Sequence, residues 1–141
     1  MKSKASAVWQ GDLKTGKGVV STAGGGLNKT PYNFAMRFEG APGTTPEELI
    51  GAAHAACFAM ALSAQLGEAG LVAQSIEASS TVTLDKLDSG PTVTASHLDV
   101  SITVPGGDRA KIETAANNAK AGCPISKLLK ANITMEAKIN T

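Results

Sequence analysis

The stretch that decides the fold is TPEELIGAAHAACFAMAL, residues 45–62, in which a helix-start signal introduces a long apolar segment. Thr45 is a good N-cap, Pro46 suits the first helical position, and Glu48 completes a Thr-x-x-Glu capping box. Apolar residues then recur at helical spacing, namely Leu49, Ile50, Ala53, Cys57, Met60, Ala61 and Ala64. The pattern predicts a helix from Pro46 to about residue 68, where GEAG ends it, with Cys57 on its apolar face.

The segments before this helix predict strands. We expect them around Ala5–Gln10, Gly18–Ala23 and Tyr32–Glu39. Alternation is clearest in the third, where one face carries Tyr32, Phe34, Met36 and Phe38 and the opposite face carries Arg37. This pattern places a charged side chain in the middle of a strand.

The segments after the helix predict a hairpin, a second helix and a closing strand. Two long strands, Ser75–Leu84 and Thr92–Val104, flank the turn sequence DKLDSGP. Asp108 is a candidate cap for a helix that runs to about Ala121, Pro124 begins a short helix, and NITMEAKIN reads as a strand. The order predicts an α+β fold with two main helices against largely antiparallel sheets.

Composition argues for a globular protein of one domain. The chain has 141 residues, 43% of them hydrophobic and 18% charged, with a formal net charge of +1. Without a block of like charges, neither nucleic acid nor a membrane is an expected partner. The start MKSKASAVWQGD has no apolar signal region, and the apolar run Leu49–Leu62 is short for a bilayer. We therefore expect a cytoplasmic protein, whose cysteines are kept reduced.

The chain has two cysteines, and their contexts differ. Cys57, in mid-helix, is typical of a small buried hydrophobe, because burial raises the pKa of a thiol unless a cation lies nearby. Cys123 precedes a proline and is the expected N-cap of the short helix, where the helix dipole stabilises a thiolate. Packing and capping alone would also account for both residues. With no Cys-x-x-Cys pair and only His54 and His97 as histidines, no metal is expected.

Three segments resemble the OsmC branch of the OsmC/Ohr family, the osmotically inducible and organic-hydroperoxide-resistance proteins. They are RFEG (residues 37–40), TTPEELIGAAHAACFAMAL (residues 44–62) and AKAGCPISKLLKA (residues 119–131). The likeness runs nearly the whole chain, so the resemblance implies that residues 1–141 form a single OsmC-like domain. It also implies an intertwined homodimer with two active sites at the subunit interface.

The resemblance implies a thiol-dependent peroxidase that reduces organic hydroperoxides, and hydrogen peroxide less well, to alcohols and water. On the family pattern Cys57 is the peroxidatic cysteine, Cys123 is the resolving cysteine, and Arg37 and Glu47 are their polar partners. The family needs no metal or haem cofactor, and it suggests a dithiol, such as a lipoyl group on a carrier protein, as the reductant. Apolar residues would favour an organic substrate over hydrogen peroxide; the candidates are Phe34, Phe38, Leu49, Ile50, Phe58 and Met60.

Helix geometry constrains how Arg37 can act. Glu47 and Cys57 are ten positions apart, about 15 Å along a continuous helix. An arginine that bridges both within one chain would be strained. Either Arg37 moves between two positions, or Arg37 and Glu47 act in the site of the neighbouring subunit, which is our hypothesis.

Three other interpretations stay open at this point. His54 lies three residues before Cys57 and suggests a Cys–His hydrolase, although we expect it to pack or to form a hydrogen bond. The cysteine roles could be exchanged, since the helix dipole favours a thiolate at Cys123. The chain could also be a non-catalytic dimer of the same fold that binds a small molecule or a lipid.

Overall fold

The structure is a computed structural model that describes residues 1–141. The elements in chain order are β1 (Ala5–Gln10), β2 (Lys17–Thr22), β3 (Thr30–Tyr32), α1 (Phe34–Phe38), α2 (Pro46–Glu68), β4 (Ser75–Leu87), β5 (Gly90–Thr103), α3 (Arg109–Gly122), α4 (Pro124–Leu128) and β6 (Asn132–Asn140). The chain divides into two compact units, Met1–Leu49 and Ile50–Thr141. The predicted α+β class is confirmed, with α2 and α3 as its two main helices.

The first unit is a small antiparallel sheet in the order β1-β2-β3, followed by α1 and the first residues of α2. Gly18 is its only fully buried residue. A Cβ on Gly18 would lie 2.6 Å from the Tyr32 ring and 2.7 Å from the Trp9 ring, so only glycine fits beneath these two aromatics. A unit with so little buried surface has almost no core of its own.

The strand predicted for Tyr32–Glu39 is wrong. The strand ends at Tyr32, and Phe34–Phe38 form the helix α1, because the Asn33 side chain caps it by accepting a hydrogen bond from the Met36 N–H at 2.9 Å. Phe34 and Phe38 are four residues apart, a spacing that shares a face in a helix as well as in a strand. Their ring centroids are 4.9 Å apart in the structure.

The second unit holds the core and a mixed sheet in the order β4-β5-β6. The predicted hairpin of β4 and β5 is confirmed, with antiparallel pairing from Ser75↔Thr103 to Leu87↔Gly90. β6 pairs in parallel with β5, because α3 and α4 form a crossover connection between the two strands. The Asp108 cap is confirmed too, since its carboxylate accepts a hydrogen bond from the Lys111 N–H at 3.3 Å.

The core of this unit joins α2, β5, α3 and β6. Its buried residues are Phe58, Leu62, Leu66, Leu98, Val100, Ile102, Val104, Ile112, Ala115, Ala116, Ala119 and Ile139. The predicted N-cap of α2 is confirmed, because the Thr45 hydroxyl accepts a hydrogen bond from the Glu48 N–H at 3.0 Å. α2 is long and apolar enough, with a mean hydropathy of 1.5, to cross a membrane by length and composition alone. Core helices pass the same test, so this property does not identify a membrane protein.

The buried face of α2 differs from the predicted one. It carries Gly51, His54, Phe58, Leu62 and Leu66, whereas Cys57 is half-buried and Met60 is 77% exposed. The reason is that α2 is apolar on almost every side, so its spacing pattern does not select one face. Close packing marks the true core face, because a Cβ on Gly51 would lie 3.0 Å from the Ser80 backbone oxygen in β4.

Candidate thiol site

The fold of the second unit brings together two cysteines that are far apart in the sequence. Cys57 lies in the middle of α2 and is half-buried, while Cys123 is fully buried between α3 and α4. Both are free thiols. The two sulfurs lie close enough to shift each other's pKa, and the Ile125 N–H lowers the pKa of both. The structure therefore forms one site from the only two cysteines in the chain.

The start of α4 creates the environment of Cys123. The Cys123 side chain is the predicted N-cap, and its sulfur accepts a hydrogen bond from the Ser126 N–H at 3.5 Å. Burial pushes the pKa of Cys123 upward, but hydrogen bonds from Cys57, from the N–H and hydroxyl of Ser126 and from the Ile125 N–H outweigh it. The net pKa lies below the ordinary value for a thiol, so Cys123 is the sulfur that ionises more readily.

Cys57 has the opposite shift. Burial raises its pKa, and so do the hydrogen bond to the Cys123 sulfur and the negative charge that Cys123 acquires; the Ile125 N–H opposes them only in part. A residue in the interior of a helix has no free backbone N–H groups around it, because each is bonded within the helix. Cys57 therefore needs a cation from elsewhere before it can be a thiolate near neutral pH.

His54 connects α2 to α4 beside the two sulfurs. Its ring is fully buried, with Nδ1 at 2.6 Å from the Ser96 hydroxyl and Nε2 at 2.8 Å from the Ser126 hydroxyl. Ser96 also lies 2.8 Å from the Ser80 hydroxyl. The predicted hydrogen-bonding role of His54 is confirmed. Burial lowers the pKa of His54, so the ring is neutral.

Arg37 and Glu47 form an ion pair within the first unit. The guanidinium donates from Nη2 to Glu47 Oε1 at 2.6 Å and from Nε to the same oxygen at 3.1 Å. Glu47 is held on the first turn of α2, and the guanidinium also lies over the Phe38 ring, 5.2 Å from its centroid. Glu47 thus holds the planar guanidinium of Arg37 in place, and the arginine side chain stays 37% exposed. Its role at a cysteine remains a prediction.

The apolar residues proposed for the substrate occupy different environments. Phe34, Arg37 and Phe38 line a cavity of about 240 Å³ in the first unit together with Trp9, Leu13, Tyr32 and Asn33. Leu49 lines a second, smaller cavity of about 160 Å³ in that unit. In the second unit Phe58 is fully buried in the core, Ile50 is half-buried and Met60 is exposed. Their contact with a substrate stays a prediction.

One cluster of potential metal ligands lies away from the thiols. His97, Asp99 and Glu136 present ligand atoms within 4.8 Å of one another on the sheet surface. No spacing in the sequence indicates this cluster, because Glu136 comes from β6 and reaches the other two residues only through the β5–β6 pairing. His97 already bonds within the protein, to Thr134 at 2.6 Å and to Asp99 at 3.3 Å. Exposed acidic groups often lie this close without a metal.

The sequence is similar to a family of known proteins. Residues 38–138 match the family model of OsmC-like proteins. The chain is 52% identical to the peroxiredoxin OsmC of Escherichia coli K12 over 98% of this chain and 96% of the relative. It is 32% identical to an organic hydroperoxide resistance protein of Xanthomonas axonopodis over 67% of this chain and 65% of the relative.

Solved structures agree on the fold. The crystal structure of the organic hydroperoxide resistance protein OhrB of Bacillus subtilis is similar with a TM-score of 0.67 and 26% identity, over 96% of this chain and 97% of that one. An OsmC-like protein from Mycoplasma pneumoniae has a TM-score of 0.77 at 14% identity, over 100% and 99% of the two chains, which concerns the fold alone.

Proposed function

Because the chain belongs to the OsmC-like protein family, we propose that it is a thiol-dependent peroxidase that reduces organic hydroperoxides to alcohols and water. The observation that carries this proposal is the contact between two free thiols whose pKa values shift in opposite directions. Relatives named as a peroxiredoxin and as organic hydroperoxide resistance proteins support the choice of reaction.

In the proposed reaction the Cys57 thiolate attacks the outer oxygen of the hydroperoxide. A sulfur–oxygen bond forms, the oxygen–oxygen bond breaks, and the alkoxide takes a proton and leaves as the alcohol. Cys123, as thiolate, then attacks the Cys57 sulfenic acid; a disulfide forms, the sulfur–oxygen bond breaks, and the hydroxide takes a proton to become water. An external dithiol, such as a lipoyl group on a carrier protein, reduces the disulfide by exchange.

Accessibility supports this assignment of roles over the exchanged one. Cys123 ionises more readily but is fully buried, whereas Cys57 is only half-buried and can be reached from outside. A low pKa without access suits a sulfur that attacks an internal partner. The raised pKa of Cys57 then has to be offset by a cation, and the Arg37–Glu47 pair is the preorganised candidate.

The cation is proposed to come from a second copy of the chain. α2 is one continuous helix from Pro46 to Glu68, so the separation of about 15 Å between Glu47 and Cys57 holds along it. A homodimer with shared sites would remove that restriction. Two observations support a dimer: the first unit has only one buried residue, and Met60, on the same helix as Cys57, is 77% exposed.

The substrate class is proposed from the apolar surroundings of the arginine. The cavity of about 240 Å³ that holds Arg37 is lined by Trp9, Leu13, Phe34 and Phe38, among others. An apolar lining with one cationic group suits a molecule that has a hydrocarbon body and a polar peroxide end. Hydrogen peroxide has no hydrocarbon part, so the apolar walls would not strengthen its binding.

We propose that the protein acts in the cytoplasm, where dithiol reductants are maintained.

A thiol count after one turnover tests the proposal. Reduced protein is mixed with one equivalent of cumene hydroperoxide, and free thiols are counted while cumyl alcohol is measured. A peroxidase loses both thiols and yields one alcohol for each chain. A dimer that merely binds small molecules or lipids keeps both thiols free and leaves the hydroperoxide intact, and that result would reject the proposal.

A further inference from the structure

The hydrogen-bond network around His54 is not used by the proposed reaction. Four side chains from four elements, Ser80 in β4, Ser96 in β5, His54 in α2 and Ser126 in α4, are linked by contacts of 2.8, 2.6 and 2.8 Å. His54, Ser96 and Ser126 are buried. A histidine that only filled space in this core would cost more free energy than an apolar residue, since its ring must be desolvated.

The ring of His54 has two tautomers, and they differ in what Ser126 can donate. The ring is fully buried and no carboxylate bonds to it, so it is neutral and carries one proton. If Nε2 carries it, Nε2 donates to the Ser126 oxygen and Nδ1 accepts from Ser96. The Ser126 hydroxyl is then free to donate its own proton elsewhere. The opposite tautomer would take that proton up and leave Ser126 nothing to donate.

One end of this hydrogen-bond network, Ser126, lies next to the resolving sulfur of Cys123. Ser126 lies on the first turn of α4, where its N–H already donates to the Cys123 sulfur at 3.5 Å. The Ser126 hydroxyl also lowers the pKa of that sulfur. The N–H and the hydroxyl of one residue therefore both favour the thiolate, while the ring of His54 holds that residue from the other side.

We propose that His54 is a positioning residue for Cys123, which it serves by holding Ser126 so that the N–H of that residue stays directed at the resolving sulfur. Its consequence for catalysis rests on the proposed peroxidase function. His54 touches no substrate and receives no proton from either sulfur. It acts through Ser126 and makes the second step, the attack of Cys123 on oxidised Cys57, faster than a capped helix start alone would allow.

The test compares four variants in a Cys57→Ser background and in the intact protein. His54→Leu removes the ring contacts, Ser126→Ala removes only the hydroxyl, and His54→Gln keeps an amide that can bond to both serines. Leu62→Val is the matched control, because it changes another fully buried side chain of α2 that takes no part in the hydrogen-bond network of His54. The readouts are thiolate absorbance against pH and the rate of disulfide formation after a hydroperoxide pulse.

We expect His54→Leu and Ser126→Ala to raise the pKa of Cys123 and to slow disulfide formation about tenfold near neutral pH, since one hydrogen bond to a charged sulfur is lost. His54→Gln should restore most of both values, and Leu62→Val should lower the melting temperature without moving the pKa. If His54→Leu does not fold, Ser126→Ala decides. Unchanged titration in Ser126→Ala would overturn the inference. That titration needs no peroxide, so it judges the inference even if the peroxidase proposal fails.

Discussion

The two sulfurs lie close to each other, yet their surroundings stabilise the thiolate form to different extents. Cys123 sits where a helix begins, and backbone N–H groups without helical partners surround it. Cys57 sits in the interior of a 23-residue helix whose N–H groups are already bonded. Burial opposes ionisation at both, but only at Cys123 do local hydrogen bonds outweigh it.

The difference teaches that position in a helix alone can separate the roles of two cysteines. Apart from Cys57, the groups that stabilise the charge on the resolving sulfur lie within three positions of it, so they are in place whenever α4 is formed. The attacking sulfur depends on a charge brought from a distant part of the chain or from another copy. Its reactivity is therefore conditional on that contact, while that of its neighbour is not.

Exchanging each sulfur for oxygen gives the largest expected effect. Cys57→Ser should lose hydroperoxide consumption entirely, because a serine hydroxyl is not ionised near neutral pH. Cys123→Ser should still consume one equivalent in the first turnover and stop at the sulfenic acid, which dimedone would label. Stopped-flow consumption of cumene hydroperoxide measures both. If Cys57→Ser remains active and Cys123→Ser is dead, the roles are exchanged.

Removing the cation should have the next largest effect. Arg37→Ala should slow the first step about a hundredfold, the usual cost of losing one preorganised electrostatic group. Arg37→Lys should recover only part of the rate, because lysine lacks the planar fork that binds Glu47. Arg109→Lys is the control: this exposed arginine donates to the Ile139 carbonyl at 2.8 Å and lies outside the site. A normal first-turnover rate in Arg37→Ala would contradict the need for this cation.

A mixture of inactive chains tells whether the arginine acts in its own subunit. Arg37→Ala and Cys57→Ser chains are unfolded and refolded together. If Arg37 serves the partner, the mixed dimer has one intact site and regains activity, up to half that of the wild type if all dimers were mixed. If Arg37 serves its own chain, no site in the mixture is complete and the activity stays at the level of the separate variants.

Titration of the thiols compares the two sulfurs directly and needs no substrate. In Cys57→Ser the remaining thiol keeps the Ser126 and Ile125 donors, and the new hydroxyl can replace the donor lost with Cys57, so its pKa should lie below the ordinary value of 9.0. In Cys123→Ser combined with Arg37→Ala the remaining thiol should titrate above 9.0, because burial disfavours its charge and the proposed cation is gone. Thiolate absorbance measures both. A pKa below 9.0 for Cys57 in that double variant would mean that a group other than Arg37 supplies its cation.

The smallest effect concerns stability. The pKa of His54 is lowered in the folded state by burial, so the unfolded chain binds more protons below its ordinary value of 6.5. The free energy of unfolding should therefore decrease as pH falls below 6.5, by at most about 1.4 kcal/mol per pH unit from this group. Urea unfolding at several pH values measures it. His54→Gln should remove this part of the slope; an unchanged slope would show that another group causes it.

The sequence predicted the fold where local chemistry decides the structure. Thr45, Asp108 and Cys123 were each recognised as helix caps from the residue itself and its neighbours, and each cap is confirmed. The hairpin of β4 and β5 followed from two long strand patterns around one turn. These features depend on residues only a few positions apart, so a local pattern is sufficient to reveal them.

Predictions from the sequence were wrong or incomplete where two structures share one pattern or where distant residues meet. Phe34 and Phe38 fit a strand face and a helix face equally, and the Asn33 cap decided for the helix. The all-round apolar character of α2 concealed which side faces the core. Two serines form hydrogen bonds with His54. Ser96 is 42 residues away in the sequence and Ser126 is 72, and no residue near His54 indicates either contact.

The close contact at Gly51 determines which segment can move when the disulfide forms. α2 packs so closely on the β4 backbone there that a methyl group would be crowded, so the helix has little room to travel further toward the sheet. A disulfide requires its sulfurs to approach to about 2.05 Å. We expect the displacement to fall on α4, a five-residue helix, so oxidised and reduced forms should differ in the crossover rather than in the long helix.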